Sequence, residues 1–147
     1  MSAYRTVVVG TDGSDSSLRA VEKAGTIAGA DAKLIVATAY LPKDEDARAA
    51  DALKDESYKV SGSAPIYAIL REAKERASAA GAQNIEERSI VGAPVDALVG
   101  LAEEVNADLL VVGNVGLSTI AGRLLGSVPA NVSRRAKVDV LIVHTTT

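Results

Sequence analysis

Along the chain, short blocks of apolar and β-branched residues alternate with longer segments in which apolar residues recur every three or four positions. The blocks are TVVVG (6–10), KLIVATAY (33–40), NIEERSIV (84–91), DLLVVG (108–113) and VDVLIVH (138–144). Four are nearly continuous, as in strands buried on both faces, whereas NIEERSIV carries charges. Between them, Leu18, Val21, Gly25 and Ala28 form one helical stripe, preceded by serines and aspartates that can cap it. Ile66, Ile69, Leu70, Ala73 and Ala77 form a second. In the third, Pro94 suits a first turn, Val95, Leu98, Val99, Ala102 and Val105 share a face, and Asn106 can end the helix. A fourth, short one runs from Val128 to about Ala136. This alternation predicts an α/β fold: an open parallel sheet with right-handed crossovers and helices on both faces. Ligands in such sheets bind beyond the C-terminal ends of the strands, where the strand order reverses.

One interval breaks the rhythm. Residues 41–65, LPKDEDARAADALKDESYKVSGSAP, are rich in charge, Ala, Ser and Pro and exceed the usual connection length. They leave the ligand edge of the sheet. Two readings stand open: a flexible, solvated insertion, with a helical turn or two in its Ala-rich middle, or a lid over the site.

Composition narrows the function classes. A chain of 147 residues suits a single domain, 1–147, and 48% hydrophobic with 24% charged residues is the balance of a soluble globular protein. No apolar run approaches the roughly 18 residues of a membrane span, and the first strand begins too early to leave room for a signal peptide. The expectation is a cytoplasmic protein without membrane attachment. With no cysteine, disulfides, thiolate catalysis and cysteine-ligated metals are excluded. The single histidine, His144, follows the last strand and reads as a strand-end residue rather than a catalytic or metal-binding one. A net charge of -3 and 3% aromatic residues speak against nucleic acid as a partner.

The chemistry concentrates at Gly113-x2-Gly116-x9-Gly126-Ser127. Gly113 ends a buried strand, where a missing Cβ permits positive φ and close approach of a ligand, and Gly116 extends the bare backbone. Consecutive N–H groups in such a loop form an anion nest. Ser127 precedes Val128-Pro129, and proline belongs in a helix's first turn, so a helix N-terminus starts near Ser127 and faces the glycine loop. Together they predict a phosphate site. Neither GxxxxGK(S/T) nor a strand-borne GxGxxG is present, which removes the P-loop and dinucleotide fingerprints.

These residues resemble the nucleotide-binding branch of the universal stress protein family. VVVGTDGSDSSLRAVEKA resembles its first strand, acidic turn and first helix, VGAPVDALVGLAEEVNADLLVVGNVG its third helix and fourth strand, and LLGSVPANVSRRAKVDVLIVH its closing unit. The resemblance implies a five-stranded sheet in the order 3-2-1-4-5 that binds ATP or a related adenine nucleotide. It sets Gly10, Thr11 and Asp12 beside the base and ribose or a metal, and Ala39 by the adenine. It also gives Gly113, Gly116, Gly126 and Ser127 the ribose and phosphate contacts, with Leu117, Ser118 and Val128 as neighbours. Two positions depart from the family pattern: Val115 stands where a basic residue is common, and Asp139 where proline is usual.

A helix terminus stabilises an anion by about 0.3 to 2 kcal/mol, little against the roughly four charges of a triphosphate. Arg123 is the only basic side chain within the glycine motif, so either Mg²⁺ accompanies ATP or the ligand is less charged, such as AMP or cyclic AMP. Asp12 either helps hold the metal, directly or through water, or is a turn residue capping the first helix. With His144 taken as remote, Asp12 is the one candidate to position water, which favours nucleotide-dependent signalling over efficient hydrolysis; slow ATP hydrolysis at the same site is the alternative. A response-regulator phosphoacceptor would need more acids and a lysine after strand five, and a pyrophosphatase loop would need more glycines than DGSDSS offers. The bare apolar VDVLIV should be a sheet edge covered by its own copy, giving a homodimer through residues 138–143.

Overall fold

The computed structural model describes residues 4–40, 56–113 and 127–144, and for 56–65 and 127–130 the course of the backbone only. In chain order the elements are β1 (Thr6–Gly10), α1 (Asp15–Ala28), β2 (Lys33–Tyr40), α2 (Glu56–Ala79), β3 (Asn84–Val91), α3 (Pro94–Glu104), β4 (Leu109–Gly113), α4 (Ser127–Arg135) and β5 (Asp139–Val143). The five strands are parallel in the order β3-β2-β1-β4-β5, as expected. The fourth strand begins at Leu109, one residue later than its apolar block, and Asp108 stands at its entry. Its carboxylate accepts the N–H groups of Arg5 (2.8 Å) and Thr6 (3.0 Å), tying the entry of β4 to that of β1.

Strand alternation sends successive side chains to opposite faces and so makes two cores. Val7 and Val9 of β1 pack with Leu18, Val21 and Ala24 of α1 and with Leu70, Ala73 and Ala77 of α2. Val8 packs on the other face with Leu98, Leu101 and Ala102 of α3 and Val132 of α4. β1, β2 and β4 are covered on both sides, which is why their sequences read as unbroken apolar runs.

The helices follow their stripes with instructive differences. Ser14 is the N-cap of α1, accepting the Ser17 N–H at 3.1 Å, and Gly29 closes the helix with φ 54°. Gly25 lies where an added Cβ would stand 2.7 Å from the Ala77 carbonyl oxygen, so α1 and α2 meet backbone to backbone. In α3 the buried face is broader than expected. Ala97 and Leu101 join Leu98, Val99 and Ala102, while Val95 and Val105 sit at its margin, because α3 packs against both the sheet and α4. Asn106, with φ 54°, follows the helix in the left-handed conformation. α2 starts at Glu56, inside the interval that broke the rhythm, and the rest of the expected insertion, 41–55, lies outside the described residues.

Of the two sheet edges, β3 is laced with ion pairs. Glu86 joins Lys33 at 2.7 Å and Arg88 at 3.4 Å, and Arg88 joins Glu104 at 2.9 Å. The other edge, β5, offers Ile142 at 41% exposure.

Candidate nucleotide site

The chain leaves β1 for β2 on one side, and the sheet later resumes with β4 on the other, so the strand order reverses between β1 and β4. At the C-terminal end of β1 the Thr11 N–H donates to the Ala37 carbonyl (2.9 Å), which holds the exit of β1 against β2. The chain then turns through Gly13, with φ 86°, into α1. An added Cβ at Gly13 would stand 2.9 Å from Ile69 Cγ1, so both conformation and space call for glycine.

Within this turn the polar side chains bond to one another. The Thr11 and Ser17 hydroxyls are 2.7 Å apart, and the Gly13 N–H donates to Thr11 Oγ1 at 3.0 Å. One oxygen of the Asp12 carboxylate, Oδ1, accepts from the Ser14 N–H at 2.9 Å and from the Ser17 hydroxyl at 3.0 Å. Its other oxygen, Oδ2, is buried and has no protein partner, alone in this among the buried side-chain polar atoms of the described residues. The capping alternative for Asp12 is thereby refined. Asp12 braces the turn, but the α1 cap is Ser14.

Gly10, Thr11, Asp12, Ala37, Ala39, Pro94 and Leu98 line a cleft at this edge. It therefore brings together four residues expected at the site, Gly10, Thr11, Asp12 and Ala39. At Gly10 an added Cβ would stand 2.6 Å from Leu98 Cδ1, so α3 packs closely over the end of β1. Gly113 ends β4, buried, and pairs with Val143. Ser127 and Val128 open α4, as the proline placement required. Gly116, Leu117, Ser118, Arg123 and Gly126 lie outside the described residues. Three cleft residues were missed. Ala37 shares a strand face with Ala39 and could have been read from the two-residue period, whereas Pro94 and Leu98 arrive from α3, which only tertiary packing brings over β1.

His144 needs a correction. It follows Val143, the partner of Gly113, so it stands at the ligand edge beside the end of β4 rather than remote from it. It is exposed there and is not among the cleft residues. The unexplained Asp139 also gains a partner. The Tyr4 hydroxyl donates to its Oδ2 at 3.3 Å, and desolvation followed by the Asp139 charge pushes the Tyr4 hydroxyl above its ordinary range. Size alone does not select the site. A hollow of about 460 Å³ lies by Tyr4, Ile27 and Asp139 and another of about 310 Å³ by Arg88 and Glu104, both without a convergent unsatisfied polar group. Among the described residues, no cluster of three or more His, Cys, Asp or Glu could hold a metal, and no helix is long and apolar enough to cross a membrane.

Residues 3–144 match the profile of the universal stress protein family. The chain belongs to that family. Universal stress protein Rv1636 of Mycobacterium tuberculosis strain H37Rv is 83% identical over 146 residues, which cover 99% of this chain and 100% of the relative. A putative universal stress protein of Staphylococcus aureus strain USA300 is 30% identical, over 99% of this chain and 87% of its own. Among solved structures, a universal stress protein in complex with cAMP is 70% identical with a TM-score of 0.76, covering 99% of this chain and 100% of that one. The universal stress protein from Archaeoglobus fulgidus in complex with dAMP is 26% identical with a TM-score of 0.62, covering 95% and 97%.

Proposed function

We propose that this universal stress protein binds an adenine nucleotide at the C-terminal edge of its sheet and acts as a nucleotide-dependent regulator. The observation that carries the reading is the cAMP complex of a relative 70% identical over nearly the whole of both chains. The cleft at Gly10, Thr11, Asp12 and Ala39 supports it, since it lies at the ligand edge of the sheet and Asp12 Oδ2 is an acceptor without a protein partner. Gly113, Gly116, Gly126 and Ser127 supply backbone donors and a hydroxyl for ribose and phosphate, with Leu117, Ser118 and Val128 as neighbours. A cyclic monophosphate suits a site with few cations better than a triphosphate does. Where ATP binds, one carboxylate oxygen fits Mg²⁺ held mainly by the phosphates, with Asp12 joining directly or through water. That ion would supply the neutralisation that the motif's lone Arg123 does not. Slow hydrolysis of ATP at this site is the second reading, with Asp12 as the acid near the phosphates.

Titration calorimetry with cyclic AMP, AMP and ATP, each with and without Mg²⁺, tests the reading. Gly116→Asp, which puts a Cβ and a negative charge into the nest, is expected to abolish binding nearly completely while circular dichroism stays unchanged. Ser127→Ala removes one hydrogen bond to a charged group, worth about 1.5 to 3 kcal/mol, and weakens binding ten- to hundredfold. Unchanged affinity for every nucleotide in Gly116→Asp reduces the glycine loop to a turn and ends the proposal.

The same reading pairs two copies through β5, supported by the exposed Ile142 and by the hollow beside Tyr4 and Leu141. Proline at Val140 or Leu141 removes an edge N–H. One of the two variants is expected to elute as a monomer where the unmodified protein elutes as a dimer.

A further inference from the structure

Ser17 is a completely buried hydroxyl on a face that α1 otherwise gives to the core: Ser17, Val21, Ala24 and Ala28 follow at spacings of four, three and four, all buried. A serine there needs partners, because burying an unbonded hydroxyl is costly. Its oxygen lies 2.7 Å from Thr11 Oγ1, 3.0 Å from Asp12 Oδ1, 3.0 Å from the Ser14 carbonyl and 3.3 Å from the Asp12 N–H.

Ser17 has one proton to give, and the contacts decide where it goes. The Ser14 carbonyl already accepts the Leu18 N–H at 2.9 Å in the first turn of the helix. A carboxylate is the stronger acceptor, so the Ser17 proton points to Asp12 Oδ1. Ser17 then cannot donate to Thr11. The 2.7 Å contact is therefore filled by the Thr11 proton, while Thr11 Oγ1 accepts from Gly13. The chain Thr11 to Ser17 to Asp12 Oδ1 runs in one direction with every member satisfied, and such chains reinforce themselves. Together with the Ser14 N–H it gives Oδ1 two donors and leaves Oδ2 uncommitted.

We propose that Ser17 is a positioning residue for the nucleotide site: it touches no ligand, but fixes the Asp12 carboxylate so that Oδ2 alone is presented to an electropositive group of the bound nucleotide or its metal. The inference rests on the nucleotide reading above. It gives Ser17 a role that the buried stripe of α1 does not require, since alanine would serve the packing.

A double-mutant cycle tests it. Affinity is read by calorimetry for Ser17→Ala, Asp12→Ala and the double variant, with cyclic AMP in chelator and with ATP and Mg²⁺, and denaturant unfolding is followed in parallel. Ser17→Ala is expected to weaken binding about tenfold, as loss of an outer-shell partner does. In the Asp12→Ala background the same change is expected to cost less than about twofold, because the residue through which it acts is gone. Coupling with cyclic AMP in chelator identifies a hydrogen-bond donor of the nucleotide as the group facing Oδ2, and coupling confined to ATP with Mg²⁺ identifies the ion. Should Ser17→Ala fail to fold, Thr11→Val, which removes the hydroxyl that donates to Ser17, takes its place in the cycle. Wild-type affinity in the Ser17 variant, or an equal loss in both backgrounds, overturns the inference while leaving nucleotide binding intact. A wild-type protein that binds no nucleotide overturns the functional reading itself.

Discussion

The two walls of the cleft are built by opposite means. One, from β1 and the turn after it, carries Thr11 and Asp12, whose side chains are engaged by Gly13, Ser14 and Ser17 within a few residues of sequence. The other, Ala37, Ala39, Pro94 and Leu98, has no polar side chain and draws on β2 and α3, far apart along the chain. The polar wall can orient a ligand by a directed hydrogen bond, because its carboxylate is held from behind. The apolar wall can select only by shape. A ligand with one apolar part and one hydrogen-bond donor, or a bound cation, matches such a pair, because the polar wall presents a carboxylate oxygen.

The largest expected effect comes from a residue that belongs to both walls. Gly10→Val drives a Cβ and two methyls against the buried Leu98, whose side chain must shift to make room. Overpacking of this kind costs about 1 to 3 kcal/mol. Nucleotide affinity is expected to be lost beyond detection by calorimetry, with a lower unfolding midpoint, and an unaltered midpoint would show that the apolar wall yields. Asp12→Ala comes next. It removes Oδ2, alone among the buried side-chain polar atoms of the described residues in having no partner, and is expected to weaken binding ten- to hundredfold, the range of a hydrogen bond to a charged group. If a bulkier Ala39→Leu weakens binding more than Asp12→Ala does, shape rather than direction dominates the cleft.

Gly13→Ala acts on the polar wall from beneath. At φ 86° and 2.9 Å from Ile69, the new methyl meets both backbone strain and a packed neighbour. A stability loss of about 1 to 2 kcal/mol is expected in denaturant unfolding, with affinity falling because Thr11 and Asp12 lose their register. The smallest effect belongs to an ion pair outside both walls. Glu86→Gln breaks the 2.7 Å contact with Lys33 on a strand edge where both side chains are more than a third exposed or nearly so. It is expected to cost under about 1 kcal/mol and to leave nucleotide affinity unchanged. The hydrogen bond from Lys33, aided by Arg88, holds the Glu86 carboxyl below its ordinary value. Its stabilisation is therefore present above the unfolded-state value and fades as pH falls through the lower folded one. Unfolding curves of wild type and Glu86→Gln should converge in acid, and a gap that persists there would assign the effect to packing.

Much of this molecule was legible along the chain because its causes are local or periodic. Strands buried on both faces must be apolar at every position, so β1, β2 and β4 were marked by composition alone. The same reading fails for β5, none of whose residues is buried in the single chain, because an apolar run does not tell a central strand from an apolar edge. Pro94 and Pro129 announced helix starts because a helix accommodates proline best in its first turn, although Pro65 lies within α2. Gly10, Thr11, Asp12 and Ala39 were grouped by the family resemblance, and the convergence of strand ends at one edge of a parallel sheet is the physical reason they meet. Ser17 was written into the stripe of α1 as its one hydroxyl, yet its meaning escaped, since a serine near a helix start serves a cap as readily as a buried relay.

What the sequence determined by itself was therefore the alternation of elements, their inward faces and the edge at which a ligand belongs. All of these follow from periodic burial and backbone sterics. Only the tertiary structure decided that α3 brings Leu98 against Gly10, that His144 returns beside Gly113, and that Asp12 keeps one oxygen free while Ser17 engages the other. Each of these depends on distances between residues that the chain separates, or on the direction of a single proton. Hydrophobic pattern encodes which face is buried, but not which atom on that face meets which other.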